Sequence, residues 1–256
     1  MLWIRSFAHA NKVINSFISF THQPFQYWSQ GTPPPDILEL QKLWNEELAK
    51  LGLQPIRLFD KKSASQWIKN NHPSLHLAFT TAPHYAVESD VFRIAFAAQN
   101  NCIYLDCDSF PTKYTISELQ HKLISGDTTL YFSKDRPYVF NGFFATKKNS
   151  PIFRHMTSKM KNFTFSQKII NRRAIEDSFG PRLFSETVQK LIGRNFSDQA
   201  DSHQNTYSSG MAVDGWNINF INSHAAVLVE PPWRLDYKVT DDNWQVFLKK
   251  ADLTLK

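Results

Sequence analysis

Asp106 and Asp108 stand two residues apart at the end of the apolar run Cys102–Leu105, within NNCIYLDCDSFPTK, and Pro111 closes the segment. Alternation along an extended backbone puts both carboxylates on one side. Like charges so placed repel unless something positive sits between them. Mg²⁺ or Mn²⁺ meets that need, because such an ion takes one or two protein carboxylates and fills its shell with water and substrate phosphates. It then neutralises a pyrophosphate as it leaves. Asp-x-Asp alone also occurs as a pair of solvated turn carboxylates. The apolar strand before it is what favours Asp106 and Asp108 as metal ligands.

Upstream lies SDVFR, Ser89 to Arg93. On a helix, Asp90 and Arg93 are three apart and share a face. A surface ion pair of that kind is worth under ~1 kcal/mol. In a site, an acid beside a forked guanidinium suits a sugar, whose hydroxyls need both acceptors and donors. The other cluster-forming types are scattered: His22, His155, His203 and His224 have no partner at metal spacing and read as surface or structural histidines.

These groups need a scaffold, and the patterning supplies one. Phe25–Trp28 reads as a buried strand ending in a Pro-rich turn. PPDILELQKLWNEELAKLG carries start and stop signals of a helix, with Ile37, Leu40, Trp44, Leu48 and Leu51 on one face. Gln54–Asp60 reads as a strand, and Ser63–Asn71 as a short helix capped by Ser63. Pro83–Asn100 is an uninterrupted helix that feeds the Cys102–Leu105 strand. Beyond the two Asp, the pattern predicts a helix near Ile116–Ile124, strands at Thr129–Phe132 and Tyr138–Ala145, and a helix opening at SPIFRHMTSKM. A helical region, Lys168–Ile192, breaks at Phe179–Pro181, and the tail is β-rich. Strands alternating with helices argue for an α/β fold with a mostly parallel sheet. In open sheets of that class ligands bind at the carboxyl ends of the strands, where Asp106 and Asp108 sit.

Bulk composition narrows the function classes. At 256 residues the chain can bury a real core. The 21 Phe suit that core, and some of them a site that stacks rings; the 8 Gly argue against a glycine-rich phosphate cradle. Two cysteines, Cys102 and Cys107, match no zinc or disulfide framework and suit a reducing cytoplasm. The net charge of +6 points to an anionic partner. The basic residues form only short pairs such as Arg172–Arg173 and Lys147–Lys148, so nucleic acid is not the expected partner. Residues 1–20 place Trp3, Ile4, Phe7, Ile14, Phe17 and Ile18 at helical spacing. This amphipathic segment either packs on the domain or lies at a membrane interface. Residues 21–256 show no linker and read as one domain.

The stretch YAVESDVFRIAFAAQNNCIYLDCDSFP resembles the core of the DXD-motif glycosyltransferases of the Och1-like and capsular polysaccharide synthesis group (glycosyltransferase family 32-like). That core reads approximately Ser-Asp-x-x-Arg, a short helix, Gly-Gly-x-Tyr-x-Asp-x-Asp and a nearby Pro. The large clostridial glucosylating toxins carry a related one. FQYWSQGTPPPDI resembles the group's first strand and turn, NGFFATKKNSPIF the strand after the metal site, SFGPRLF its Gly-Pro segment and VLVEPPWRLDYKV its late strand. The likeness runs in order from Phe25 to Trp244. Asn100–Asn101 replace the two Gly, Phe179 replaces a Thr, and the C-terminal His-Trp-rich segment is reduced to DDNWQ.

The resemblance implies a GT-A (Rossmann-like) fold and a metal-dependent, retaining transfer of a sugar from a UDP- or GDP-sugar. The acceptor would be a saccharide or lipid-linked saccharide in capsule or lipopolysaccharide synthesis. It implies Asp108 as direct metal ligand and Asp106 as the carboxylate shared between the Mn²⁺ or Mg²⁺ and the donor. Ser89, Asp90 and Arg93 would grip the donor, and Trp28 would stack its base or simply pack in the core. Asn141 would lie near the transferred sugar, although Asn-Gly is equally a turn signal. Asn243 and Trp244 would close the site as a lid. Asp108, Arg93 and Asn141 form the expected catalytic set, with same-face attack and no glycosyl-enzyme. Tyr104 and Cys107 are expected to pack, Cys107 pointing away from the two Asp. The expected place is the cytoplasm, with peripheral contact at the inner membrane face. Three other activities share parts of this pattern: a toxin-like protein glycosyltransferase, a haloacid-dehalogenase-type phosphatase and a degenerate sugar-binding domain.

Overall fold

The computed structural model describes residues 22–112, 119, 126–133, 138–161, 163–165, 175, 177–193, 211–222, 231, 233, 235–239 and 246. Residues 1–20, most of the expected 116–124 helix, and Asn243 and Trp244 lie outside them. The strands are β1 (Gln23–Tyr27), β2 (Arg57–Phe59), β3 (Cys102–Leu105), β4 (Thr128–Ser133), β5 (Tyr138–Thr146), β6 (Met211–Val213) and β7 (Trp216–Asn222). They form one sheet in the order β2-β1-β3-β5-β4-β7-β6. β1 pairs in parallel with β2 and β3, and β4 with β7, while β5 runs against β3 and β4 and β6 against β7. Thus β1, β2, β3, β4 and β7 point one way and only β5 and β6 oppose them. The architecture is α/β with a sheet mostly parallel in direction, consistent with a GT-A-like fold.

The described α-helices are α1 (Pro35–Lys50), α2 (Lys61–Asn71), α3 (His76–Thr80), α4 (Tyr85–Gln99), α5 (Pro151–Met160) and α6 (Pro181–Ile192). Pro35, Pro151 and Pro181 each stand in the first turn of their helices, where a missing N–H costs nothing. Asp60, not Ser63, caps α2: its carboxylate accepts from the Ser63 N–H while Ser63 answers the Asp60 N–H. This is a capping box with Ser63 inside the first turn. Helix α3 carries no Gly, Pro or cap signal at its ends and was not expected from the sequence.

The sheet is buried on both faces. Along β3, Cys102 and Tyr104 join the larger core with α2, α4, α5 and α6, whereas Ile103 and Leu105 join a second core with Trp44 and Leu48 of α1. A strand covered on both sides reads as an unbroken apolar run, as CIYL does. Phe25 of β1 sits centrally, its ring 4.4 Å from Phe96 and 5.1 Å from Tyr104. The phenylalanines therefore serve mainly the core. Helix α4 is buried from Val87 to Ala98 except at the partly exposed Asp90, with Ala95, Ala97 and Ala98 allowing close approach. Its Ser89 and Arg93 are consequently fixed against Tyr104 near the end of β3 and the Asn141 carbonyl within β5.

Candidate active site

Strand β3 ends at Leu105, and the chain turns at once: the Ser109 N–H and hydroxyl both bond the Asp106 carbonyl. The Trp44 indole N–H donates to the Ser109 carbonyl at 2.9 Å, tying α1 to this turn. Asp106 still follows the strand alternation and lies beside Tyr104, whose hydroxyl donates to Asp106 Oδ1 over 2.7 Å. Asp108 lies past the turn and meets other partners, the Tyr237 hydroxyl at 2.8 Å and the Lys238 ammonium at 2.9 Å. The two carboxylates share a cleft through the turn, not through strand alternation. For the same reason Cys107 does not point away: it lines the cleft with both Asp, its thiol donating to the Tyr27 carbonyl over 3.4 Å. Burial and the two neighbouring carboxylates push that thiol well up, so it is no nucleophile.

Arg93 organises the acid cluster. Its Nε donates to the Ser89 carbonyl at 3.3 Å, Nη1 to the Asn141 carbonyl at 2.7 Å, and Nη2 to Ser89 Oγ at 2.9 Å. It also pairs with Asp90 and with Asp106, each at 3.3 Å, and lies over the Tyr104 ring at 4.3 Å. The group is only 5% exposed. Burial opposes its charge, but Tyr104, Asp106 and Asp90 outweigh that and keep it protonated. Asp90 is pushed up to about 7 by burial, against the pull of Arg93 and the Asn141 hydrogen bond. Burial also raises Asp106; Arg93 pulls it back, and Asp108 adds to the rise. The Asp90–Arg93 pair is therefore no surface ion pair but part of a buried network, where losing one partner costs about 3–5 kcal/mol.

Asn141 and Gly142 form no turn. They lie inside β5, where the ladder to β4 jumps from Leu130–Phe144 to Tyr131–Phe140. The resulting bulge re-aims this stretch toward the site. The Asn141 amide donates to Asp90 Oδ1 at 2.7 Å, and the Gly142 carbonyl accepts from the Asp106 N–H at 2.8 Å. A Cβ on Gly142 would stand 2.3 Å from Asp106 Oδ2. Glycine is needed there for space, so the Asn-Gly pair marks a close approach to the carboxylate rather than a chain reversal.

The cleft has a volume of about 520 Å³. Its wall brings together Trp28, Ser89, Arg93, Asp106 and Asp108, and Asp90 and Asn141 join it through Arg93. Trp28 lies one residue past β1, 7% exposed, with its ring 5.5 Å from Tyr237 in an edge-on contact. Asn243 and Trp244 lie outside the described residues. Tyr104 is more than a packing residue, since its hydroxyl joins Ser89 Oγ at 3.0 Å to Asp106. Its spacing of two from Asp106 was the available signal. Tyr237 and Lys238 had none, because their approach to Asp108 spans 129 positions for Tyr237.

Two carboxylates and nearby hydroxyls are hard oxygen donors of the kind Mg²⁺ or Mn²⁺ takes. Among the described residues no three His, Cys, Asp or Glu converge on one point. Asp106 Oδ2 occupies the space that Gly142 leaves by lacking a Cβ. In chemical type these oxygens match such an ion, whose remaining ligands would come from water or substrate oxygens. Among the described residues no helix is long and apolar enough to cross a membrane.

No family model matches the chain, and no curated protein does. Among solved structures it is similar to one titled PaToxG glycosyltransferase, at 14% identity and a TM-score of 0.46, over 74% of this chain and 80% of that one.

Proposed function

We propose that the protein is a metal-dependent, retaining glycosyltransferase that moves a sugar from a UDP- or GDP-sugar to a saccharide or lipid-linked saccharide acceptor. One observation carries this: Ser89, Asp90, Arg93 and Asn141 form a buried network that ends on Asp106, beside Asp108, in a single cleft. Acids held beside a forked guanidinium suit a sugar, whose hydroxyls need both acceptors and donors.

Asp106 and Asp108 would hold Mn²⁺ or Mg²⁺, which when bound supplies charge stabilisation for the departing diphosphate. The chain's own residues do the rest. Tyr104 and Arg93 fix the Asp106 carboxylate, and Ser89 fixes Arg93. Such preorganised dipoles need no rearrangement as charge develops in the transition state. Asp90, braced by Asn141 and paired with Arg93 directly behind the cleft wall, would supply the acid of a sugar-binding pair there. Trp28 stands at the cleft wall as the platform for the base. The carboxyls of Asp90 and Asp106 are each tied to Arg93, which disfavours a covalent nucleophile and favours same-face attack by the acceptor hydroxyl.

The acceptor assignment to capsule or lipopolysaccharide synthesis follows from the family likeness of residues 25–244. Cytoplasmic location with contact at the inner membrane face belongs to the same proposal. The test is a panel of UDP- and GDP-sugars set beside sugar phosphates, with Mn²⁺ present. Release of nucleoside diphosphate supports transfer. Release of inorganic phosphate from sugar phosphates alone supports the phosphatase instead.

A further inference from the structure

The 3-10 turn Asp236–Val239 lays two consecutive side chains on one carboxylate oxygen. Tyr237 Oη donates to Asp108 Oδ2 over 2.8 Å, and Lys238 Nζ pairs with that oxygen at 2.9 Å. The turn is anchored at its start and from within. Leu235 is buried with Trp28, Ile37 and Leu40, and the Tyr237 ring meets Trp28 edge-on. Lys238 lines the cleft.

A nucleotide-sugar would bring its diphosphate charge to a wall that already carries Asp106 and Asp108. Among the residues lining the cleft, Arg93 and Lys238 are the ones with a lasting positive charge. Arg93 cannot turn to a new anion. Its Nε, Nη1 and Nη2 are all committed, to Ser89, Asn141, Asp90 and Asp106, and it sits on a buried helix face. Lys238 differs in kind. It is a point charge on a flexible stem, with rotatable donors suited to phosphate, and its side chain is 28% exposed.

Resting on the glycosyltransferase reading above, we propose that Lys238 is a donor-positioning residue. Without donor its ammonium pairs with Asp108; with donor bound it pairs with the diphosphate. The swap frees the Asp108 carboxylate when the donor arrives, and in the donor's absence Asp108 does not stand without a counter-charge. Tyr237 steers the stem by holding the same oxygen and by packing on Trp28.

The experiment compares wild type, Lys238→Ala and Lys238→Arg as full-length proteins. UDP, GDP and the matching nucleosides are titrated with Mn²⁺ present, and Mn²⁺ is titrated alone. Lys238→Ala is expected to lose about tenfold in nucleoside diphosphate affinity, the size of one charge-assisted hydrogen bond. It should keep its affinity for the nucleoside and bind Mn²⁺ alone at least as tightly as wild type, because a competing cation is gone. Lys238→Arg should recover most of the diphosphate affinity. Equal losses for diphosphate and nucleoside, with a lowered Tm, would show that Lys238 only pins the turn and would overturn the proposal. Unchanged diphosphate binding in Lys238→Ala, with wild type binding normally, overturns the role of Lys238 alone. If wild type binds neither UDP nor GDP, the glycosyltransferase reading itself fails and takes this role with it.

Discussion

The Asn141 side-chain amide donates to Asp90 Oδ1 over 2.7 Å, joining the bulge of β5 to helix α4. The same Asn141 accepts at its backbone carbonyl from Arg93 Nη1. Asn141→Ala removes only the first bond. It should cost about 1.5–3 kcal/mol of stability, the value of a hydrogen bond to a charged group. Turnover should fall much further, because Asp90 then loses the brace that holds it beside Arg93 behind the cleft. Urea unfolding beside donor-turnover kinetics checks this, and equal small losses in both would contradict it.

Arg93 makes a different prediction. Arg93→Ala leaves Asp90 and Asp106 without their shared cation in a buried setting, so it should lose about 3–5 kcal/mol and fold poorly. Arg93→Lys keeps the charge but not the fork. It should fold, with a lowered Tm, and lose most of its turnover. A Lys variant with wild-type kinetics would show that the forked geometry is irrelevant.

Gly142→Ala tests the carboxylate cradle. The new methyl would stand 2.3 Å from Asp106 Oδ2 and 2.6 Å from the Phe140 ring. Overpacking of that kind costs about 1–3 kcal/mol, and here it also displaces Asp106. Mn²⁺ binding should weaken more than the melting temperature suggests. Mn²⁺ titration and a melting curve on the same sample decide it.

Much of the scaffold was legible because it obeys local rules. The continuous apolar run of β3 reports a strand covered on both faces, and Pro35, Pro151 and Pro181 report helix starts. Ser89, Asp90, Arg93, Asp106 and Asp108 were legible as a spacing pattern, and the structure gathers them in or directly behind one cleft. What stayed hidden depends on distant pairing. The strand over Tyr138–Ala145 was legible, but the space that Gly142 leaves for Asp106 was not, because nothing local reveals that approach. The turn after Leu105, which sends Asp108 to Tyr237 and Lys238, is equally invisible, since those partners come from the far end of the chain.

A pH prediction follows from His22, which burial, with help from Lys147, lowers to about 4 from 6.5. Above pH 6.5 the ring is neutral whether the chain is folded or not, and it adds no pH dependence. Between pH 6.5 and 4 the unfolded chain binds the extra proton, so stability falls as pH falls, by about 3 kcal/mol at full effect. Asp90, raised to about 7, binds its proton in the folded state and gives the opposite slope. Comparing wild type with His22→Asn cancels the Asp90 contribution. Relative to the variant, wild type should lose stability steadily in urea melts from pH 6.5 down to 4. Parallel pH profiles would contradict the burial of His22.

The account stands most directly on Asp108. Asp108→Asn keeps an oxygen acceptor for the Tyr237 hydroxyl but removes the charge that a divalent ion and Lys238 would share. The decisive measurement is nucleoside diphosphate release from UDP- and GDP-sugars with Mn²⁺, by wild type and by Asp108→Asn, each repeated in EDTA. Release by wild type with at least one donor, lost in EDTA and lost in a folded Asp108→Asn, is the predicted result. Undiminished release in EDTA, or by Asp108→Asn, would contradict a site built around this carboxylate pair.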